Sequence, residues 1–158
     1  MNADSLNFKY LADHEEWVPQ VIDWWATVWG DRMGPDLSRD ADHLRKSLNK
    51  DNFPIHIVAT CGGEPVGTAA LKLRELPELF PDCHYWLGSV FVIESHRAHG
   101  FATALSQRIV EIAREGELPH LYLQTVNLSG GLYRQLGWEA QQQFIYRGEQ
   151  TLLMKKTL

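Results

Sequence analysis

Val90-Phe91-Val92-Ile93-Glu94-Ser95-His96-Arg97-Ala98-His99-Gly100-Phe101-Ala102-Thr103-Ala104-Leu105 is the stretch from which the rest of the chain can be ordered. Its opening residues are apolar, β-branched or aromatic, as in a strand buried on both faces, and that character fades after Ile93. From Phe101 the residues Leu105, Ile109, Ile112 and Ala113 return at helical spacing, which predicts a helix over 101–115 that begins around Gly100. The first amides of a helix have no partner within it and stand at the positive end of its dipole. Small residues there, Ala98, Gly100 and Ala102, leave the backbone open to a bulky anion, which makes the junction a candidate phosphate cradle. It is not a P-loop, because no Gly-Lys-Ser/Thr follows, nor a dinucleotide fingerprint, because G-x-G-x-x-G is absent.

Upstream, Ser5–Leu11 reads as a first strand. Asp13 and Glu16 have capping-box spacing ahead of a helix carrying Val18, Val21, Ile22, Trp25, Val28 and Trp29 and ending at Gly30. Leu37, Ala41, Leu44 and Leu48 form a second helical stripe, with Ser38 as its expected N-cap. Ile55–Thr60 and Val66–Leu73 read as a hairpin with a longer loop, and Leu73–Cys83 as an irregular surface loop. The central strand is then Tyr85–Ile93. Downstream, His120–Val126 is a strand, Leu132–Leu136 a short helix closed by Gly137, and Trp138–Tyr146 and Thr151–Lys156 two last strands. The order β-α-α-β-β-β-α-β-α-β-β predicts an α/β fold with a mixed sheet and helices on both faces.

The 158 residues fit one domain, at ~100–200 residues per domain, taken as 1–158. Fifteen basic against 20 acidic residues give a net charge of −5, which supplies no general attraction to nucleic acid or an anionic membrane. Met1–Lys9 has no basic-then-apolar leader pattern, and no apolar run approaches the ~20 residues a bilayer requires. Cys61 and Cys83 are too few for a disulfide framework and form no zinc pair, so reduced thiols and a cytoplasmic setting are expected. His96 and His99 lack a third ligand, and no metal is expected. Trp17, Trp24, Trp25 and Trp29 read as core packing by default, with one or two of the rings left open to line a substrate cleft, and Arg45, Lys46 and Lys50 read as a solvated face.

At Arg97-Ala98-His99-Gly100-Phe101-Ala102 the sequence resembles the pyrophosphate loop R/Q-x-x-G-x-G/A of the GCN5-related N-acetyltransferases. Val90-Phe91-Val92 fits the strand before that loop, and Leu132-Tyr133-Arg134-Gln135-Leu136-Gly137-Trp138 fits the family's Leu/Phe-Tyr-x-x-Leu-Gly-Phe/Trp. Motif cover runs from Val90 to Trp138, and the element order covers nearly the whole chain. The resemblance implies acetyl-CoA as co-substrate and an amine acceptor, either a small molecule or a peptide. The lack of an added recognition module favours the small molecule, and the protein is expected to act as a monomer or homodimer. The resemblance also implies that the backbone of Val90, Phe91 and Val92 pairs with the pantetheine arm. The pyrophosphate would fall to the amides of Ala98, His99, Gly100, Phe101, Ala102 and Thr103, with Arg97 bracing the loop. Tyr133 becomes the general acid toward the departing thiolate. Two positions depart from the family: Asn127, a candidate cofactor contact, stands one residue nearer this tyrosine than usual, and Gln124 stands where many members carry a glutamate base. The base is therefore open among Asp23, Glu75, Glu78, Asp82 and His84, with a water chain or a desolvated pocket served by a distant acid expected rather than one dedicated group. A non-catalytic coenzyme A-binding domain is the alternative that this gap keeps in play.

Overall fold

The apolar run around Val90 is the middle of the sheet. In the computed structural model, which describes residues 5–158, the strands are β1 (Leu6–Tyr10), β2 (Ile55–Cys61), β3 (Glu64–Lys72), β4 (Trp86–Val92), β5 (His120–Thr125), β6 (Glu139–Tyr146) and β7 (Glu149–Thr157). They form one seven-stranded sheet in the order β1-β2-β3-β4-β5-β7-β6. Every neighbouring pair is antiparallel except β4 and β5, which run parallel. The helices are α1 (Val18–Trp29), α2 (Leu37–Lys46), α3 (Phe101–Glu115) and α4 (Gly131–Gln135). None among the described residues is long and apolar enough to cross a membrane.

Alternation along the strands divides the interior into two layers. Ile55, Ile57 and Ala59 of β2 face the larger core with Leu105 and Ile109 of α3, whereas Val58 faces a second core with Val18, Val21, Ile22, Ala41 and Leu44 of the first two helices. The mixed sheet with helices on both faces is therefore present as expected. Leu73–Cys83 is irregular, yet it inserts Leu76, 2% exposed, against Trp86 and Leu153 in a third, small cluster. The Trp86 indole is fully buried and donates to the Cys83 carbonyl at 2.7 Å, so its one polar atom is satisfied.

Local signals near the first two helices resolve differently from their sequence pattern. Asp13 and Glu16 do not cap a helix: short 3-10 turns occupy 11–17, and α1 starts at Val18 because Pro19 is tolerated only in a first turn. Asp13 instead accepts from Lys50 Nζ at 2.9 Å, and Glu16 bonds His14. The N-cap of α2 is Asp36, whose Oδ1 accepts from the Ser38 amide (3.0 Å) and the Ser38 hydroxyl (2.7 Å). Ser38 lies inside the first turn, and Leu48 lies beyond the helix's end. The β2–β3 connection is tighter than expected, with Cys61 pairing Glu64 across Gly62-Gly63 at φ +59° and +85°.

Candidate active site

Trp86↔Tyr122 is the one register pair between β4 and β5. Beyond it the two strands part, and a cleft of about 520 Å³ opens between Leu87–Val90 on one side and Leu123–Thr125 on the other. Trp25 and Trp29 of α1 line the same cleft, and so does Tyr133. The tryptophans expected in the core thus divide their roles. Trp24 stacks on Phe91 at 5.7 Å, Trp17 stacks on His14 at 4.0 Å, and Trp25 donates its indole N–H to Thr68 Oγ1 at 3.1 Å while facing the cleft.

Past Val92 the chain makes a 3-10 turn at Glu94–His96 and enters α3 through two left-handed residues, Ala98 at φ +63° and Gly100 at φ +82°. The first helical bond runs from the Ala104 amide to the Gly100 carbonyl (3.0 Å), so the amides of Phe101, Ala102 and Thr103 precede the helix's own ladder. Among the described residues no side chain caps this end, and a Cβ on Gly100 would meet no atom within 4 Å. These amides and this open space fit a pyrophosphate. Arg97 braces the loop: its Nε donates to the Val92 carbonyl at 2.8 Å, and its guanidinium lies 5.6 Å from the Phe91 ring centroid. His96 is tied to Ser95 Oγ and set edge-on to Phe101, while His99 is exposed. Among the described residues no group of three or more His, Cys, Asp or Glu side chains is placed to hold a metal ion.

Tyr133 sits on α4, edge-on to the buried Trp138 ring with centroids 6.1 Å apart. Burial pushes its phenol above the ordinary range, a hydrogen bond with Ser106 acts in the opposite direction, and the Glu75 carboxylate adds to the rise. It is therefore a protonated donor throughout the neutral range. Asn127 lies outside the cleft lining. Its Oδ1 accepts from the Ser129 amide (3.2 Å) and hydroxyl (2.7 Å) and so shapes the loop into α4.

Of the five candidate proton acceptors, the cleft is lined by Glu75 alone. Asp23, Glu78 and Asp82 are exposed elsewhere, and His84 lies ahead of β4 with its ring beside Tyr85. Glu75 Oε1 accepts from Lys72 Nζ at 3.2 Å, and Oε2 accepts from Gln124 Nε2 at 3.3 Å. Gly88 of β4 leaves the space for this: a Cβ there would stand 2.5 Å from Glu75 Oε1. Gln124, which holds the place of the family's strand glutamate, thus anchors a carboxylate delivered by the irregular loop. Lys72 and Gly88 carry no motif and were not legible as site residues.

The parallel pair β4 and β5 thus splays, and the helix that follows β4 starts without a side-chain cap. The Acetyltransferase (GNAT) family model matches residues 18–138, and the chain belongs to that family. Solved structures share the fold. A ribosomal-protein-alanine N-acetyltransferase from Brucella melitensis aligns with TM-score 0.76 at 20% identity, covering 96% of this chain and 99% of that one. An aminoglycoside 6'-acetyltransferase type Ii aligns with TM-score 0.73 at 16% identity, covering 96% of each. An aminoglycoside 6'-N-acetyltransferase complexed with coenzyme A aligns with TM-score 0.72 at 14% identity, again over 96% of each. No curated protein matches the chain.

Proposed function

We propose that the protein transfers the acetyl group of acetyl-CoA to a primary amine by direct attack. The observation that carries this is the β4–β5 cleft, which has Tyr133 and Glu75 in its wall and is bordered by the strand whose end leads through residues 93–100 into the uncapped start of α3. The pyrophosphate rests on the backbone of 98–103, and the pantetheine arm lies along Val90–Val92, where β4 has lost its neighbour. The role of Asn127 toward the cofactor falls to its amide nitrogen, because its oxygen is engaged by Ser129.

An alkylammonium has a pKa of ~10.4, so freeing the amine at pH 7 costs about 4–5 kcal/mol. Glu75 is the carboxylate placed to receive that proton, directly or through cleft water, and Lys72 and Gln124 hold it in position. The amine nitrogen then attacks the thioester carbonyl carbon. Charge on the carbonyl oxygen is met by a backbone N–H, assigned to Val92, and as the carbon–sulfur bond breaks the Tyr133 hydroxyl donates to the sulfur. The products are an N-acetylated amine and coenzyme A. A small acceptor is favoured because Trp25 and Trp29 of α1 line the cleft between the strands. Gly100→Glu tests the cradle. Calorimetry should show coenzyme A binding sharply weakened with the fold retained, and unchanged affinity would move the pyrophosphate elsewhere.

A further inference from the structure

Beneath α2, on the sheet face that carries Glu75, lies a second cavity of about 480 Å³. It adjoins the cleft, since Trp25, Lys72 and Ser89 line both. Most of its wall is apolar, formed by Ile22, Trp25, Met33, Leu44 and Phe53. Two polar atoms in that wall have no hydrogen-bond partner among the described residues although they are buried: His56 Nδ1 and Asp40 Oδ2. His56 is 6% exposed and stands between Ile55 and Ile57 in β2, where an apolar residue would pack without cost. A buried polar atom left unpaired is unfavourable unless a ligand completes it.

The charges around the cavity define what fits. Burial holds the His56 ring far down, at about 3, with the Lys72 charge acting in the same direction, so the imidazole is neutral at pH 7 and offers one donor and one acceptor. Lys72 is engaged by Glu75, and Arg74 is exposed at the rim. Among the described residues the Asp40 carboxylate receives only a long 3.5 Å contact from the Gly34 amide, on its other oxygen. An added anion would face Asp40, and an added cation would face Lys72 and Arg74. An uncharged O–H on an aromatic body matches the wall, with Trp25 and Phe53 for the ring and Asp40 and His56 for the hydroxyl.

We propose that this cavity is the acceptor-specificity subsite, holding the ring of a hydroxylated arylalkylamine whose hydroxyl donates to Asp40 while its amine reaches Glu75 in the cleft. The proposal rests on the assignment of the cleft as the site of acetyl transfer. Tyramine and phenethylamine, which differ by one hydroxyl, are the probes, and kcat/KM for each is measured by thiol release from acetyl-CoA. The wild-type protein should prefer tyramine by about tenfold or more, the discrimination given by one hydrogen bond to a charged group. The preference should lie in KM, as for a contact far from the reacting atoms. Asp40→Ala, and independently His56→Phe, should bring the ratio near one. Equal use of both amines by the wild type, or a ratio unmoved in both variants, would overturn the subsite and leave acetyl transfer standing. If neither amine releases thiol, calorimetry with tyramine alone separates the two claims. Binding that Asp40→Ala abolishes supports the subsite and counts against the transfer assignment, whereas no binding overturns the subsite.

Discussion

In the proposed mechanism Tyr133 and Glu75 act on opposite ends of one reaction, and their surroundings suit them to it. A phenol raised by burial keeps its proton, which suits a donor to a departing thiolate. The transfer itself is not steeply favourable, since a phenol's reference pKa of ~10 exceeds the ~8.5 of a thiol. Tyr133→Phe should therefore lower kcat at saturating acetyl-CoA by about 10–10²-fold, the low end for a general acid. An undiminished kcat would remove Tyr133 from the mechanism. Glu75→Gln keeps the shape beside Lys72 and Gln124 but cannot take a proton. At pH 7 it should reduce kcat/KM for the amine by about 10²-fold, with recovery as the pH approaches the amine's own pKa. An unchanged rate at pH 7 would return the proton to a water chain.

At the scale of elements, β4 governs both halves of the proposed site, because its end feeds the loop assigned to the pyrophosphate and its free edge makes the cleft. Its position depends on a close approach at Gly67 of β3, where a Cβ would lie 2.6 Å from the Phe91 carbonyl oxygen and 3.1 Å from Leu105 Cδ1. The first of these is backbone and cannot turn aside. Gly67→Ala should destabilise the fold by about 1–3 kcal/mol in urea denaturation and weaken coenzyme A binding with it. Unchanged stability would show that β3 and β4 can separate without cost. The strand–loop–helix at 90–105 and the turn at Leu132–Trp138 were legible in the sequence because their signals are local: an apolar run, small residues at a helix start, a tyrosine and a glycine at fixed spacing. The caps were not, because Pro19 outranks Asp13 and Asp36 outranks Ser38. The cleft was not, because it depends on β5 leaving β4 after Trp86↔Tyr122. Glu75 could be named only as one candidate among five, since its anchor Gln124 lies 49 residues away and meets it only in the fold. His56 was hidden within an apolar strand.

At the scale of the whole molecule, the buried His56 couples folding to pH. Its native form stays neutral down to about 3, whereas an unfolded histidine takes a proton near 6.5, so the unfolded chain binds more protons between these values. Stability from this group is complete above about pH 7 and falls by ~1.4 kcal/mol per unit as the pH drops through that window. Between pH 7 and pH 5 the wild type should lose about 2 kcal/mol more than His56→Gln in denaturant unfolding. Parallel losses would mean that His56 is protonated in the fold. The central claim is that this family member is an active enzyme whose cleft joins acetyl-CoA to an amine. It is tested most directly by amine-dependent release of free thiol from acetyl-CoA across a panel of primary amines, with the acetylated products identified by mass. We expect release that requires the amine, rises with pH through one ionisation and is matched mole for mole by N-acetylated product. Tight coenzyme A binding with no amine-dependent release at any pH from 6 to 10 would contradict this and make the protein a non-catalytic coenzyme A-binding domain.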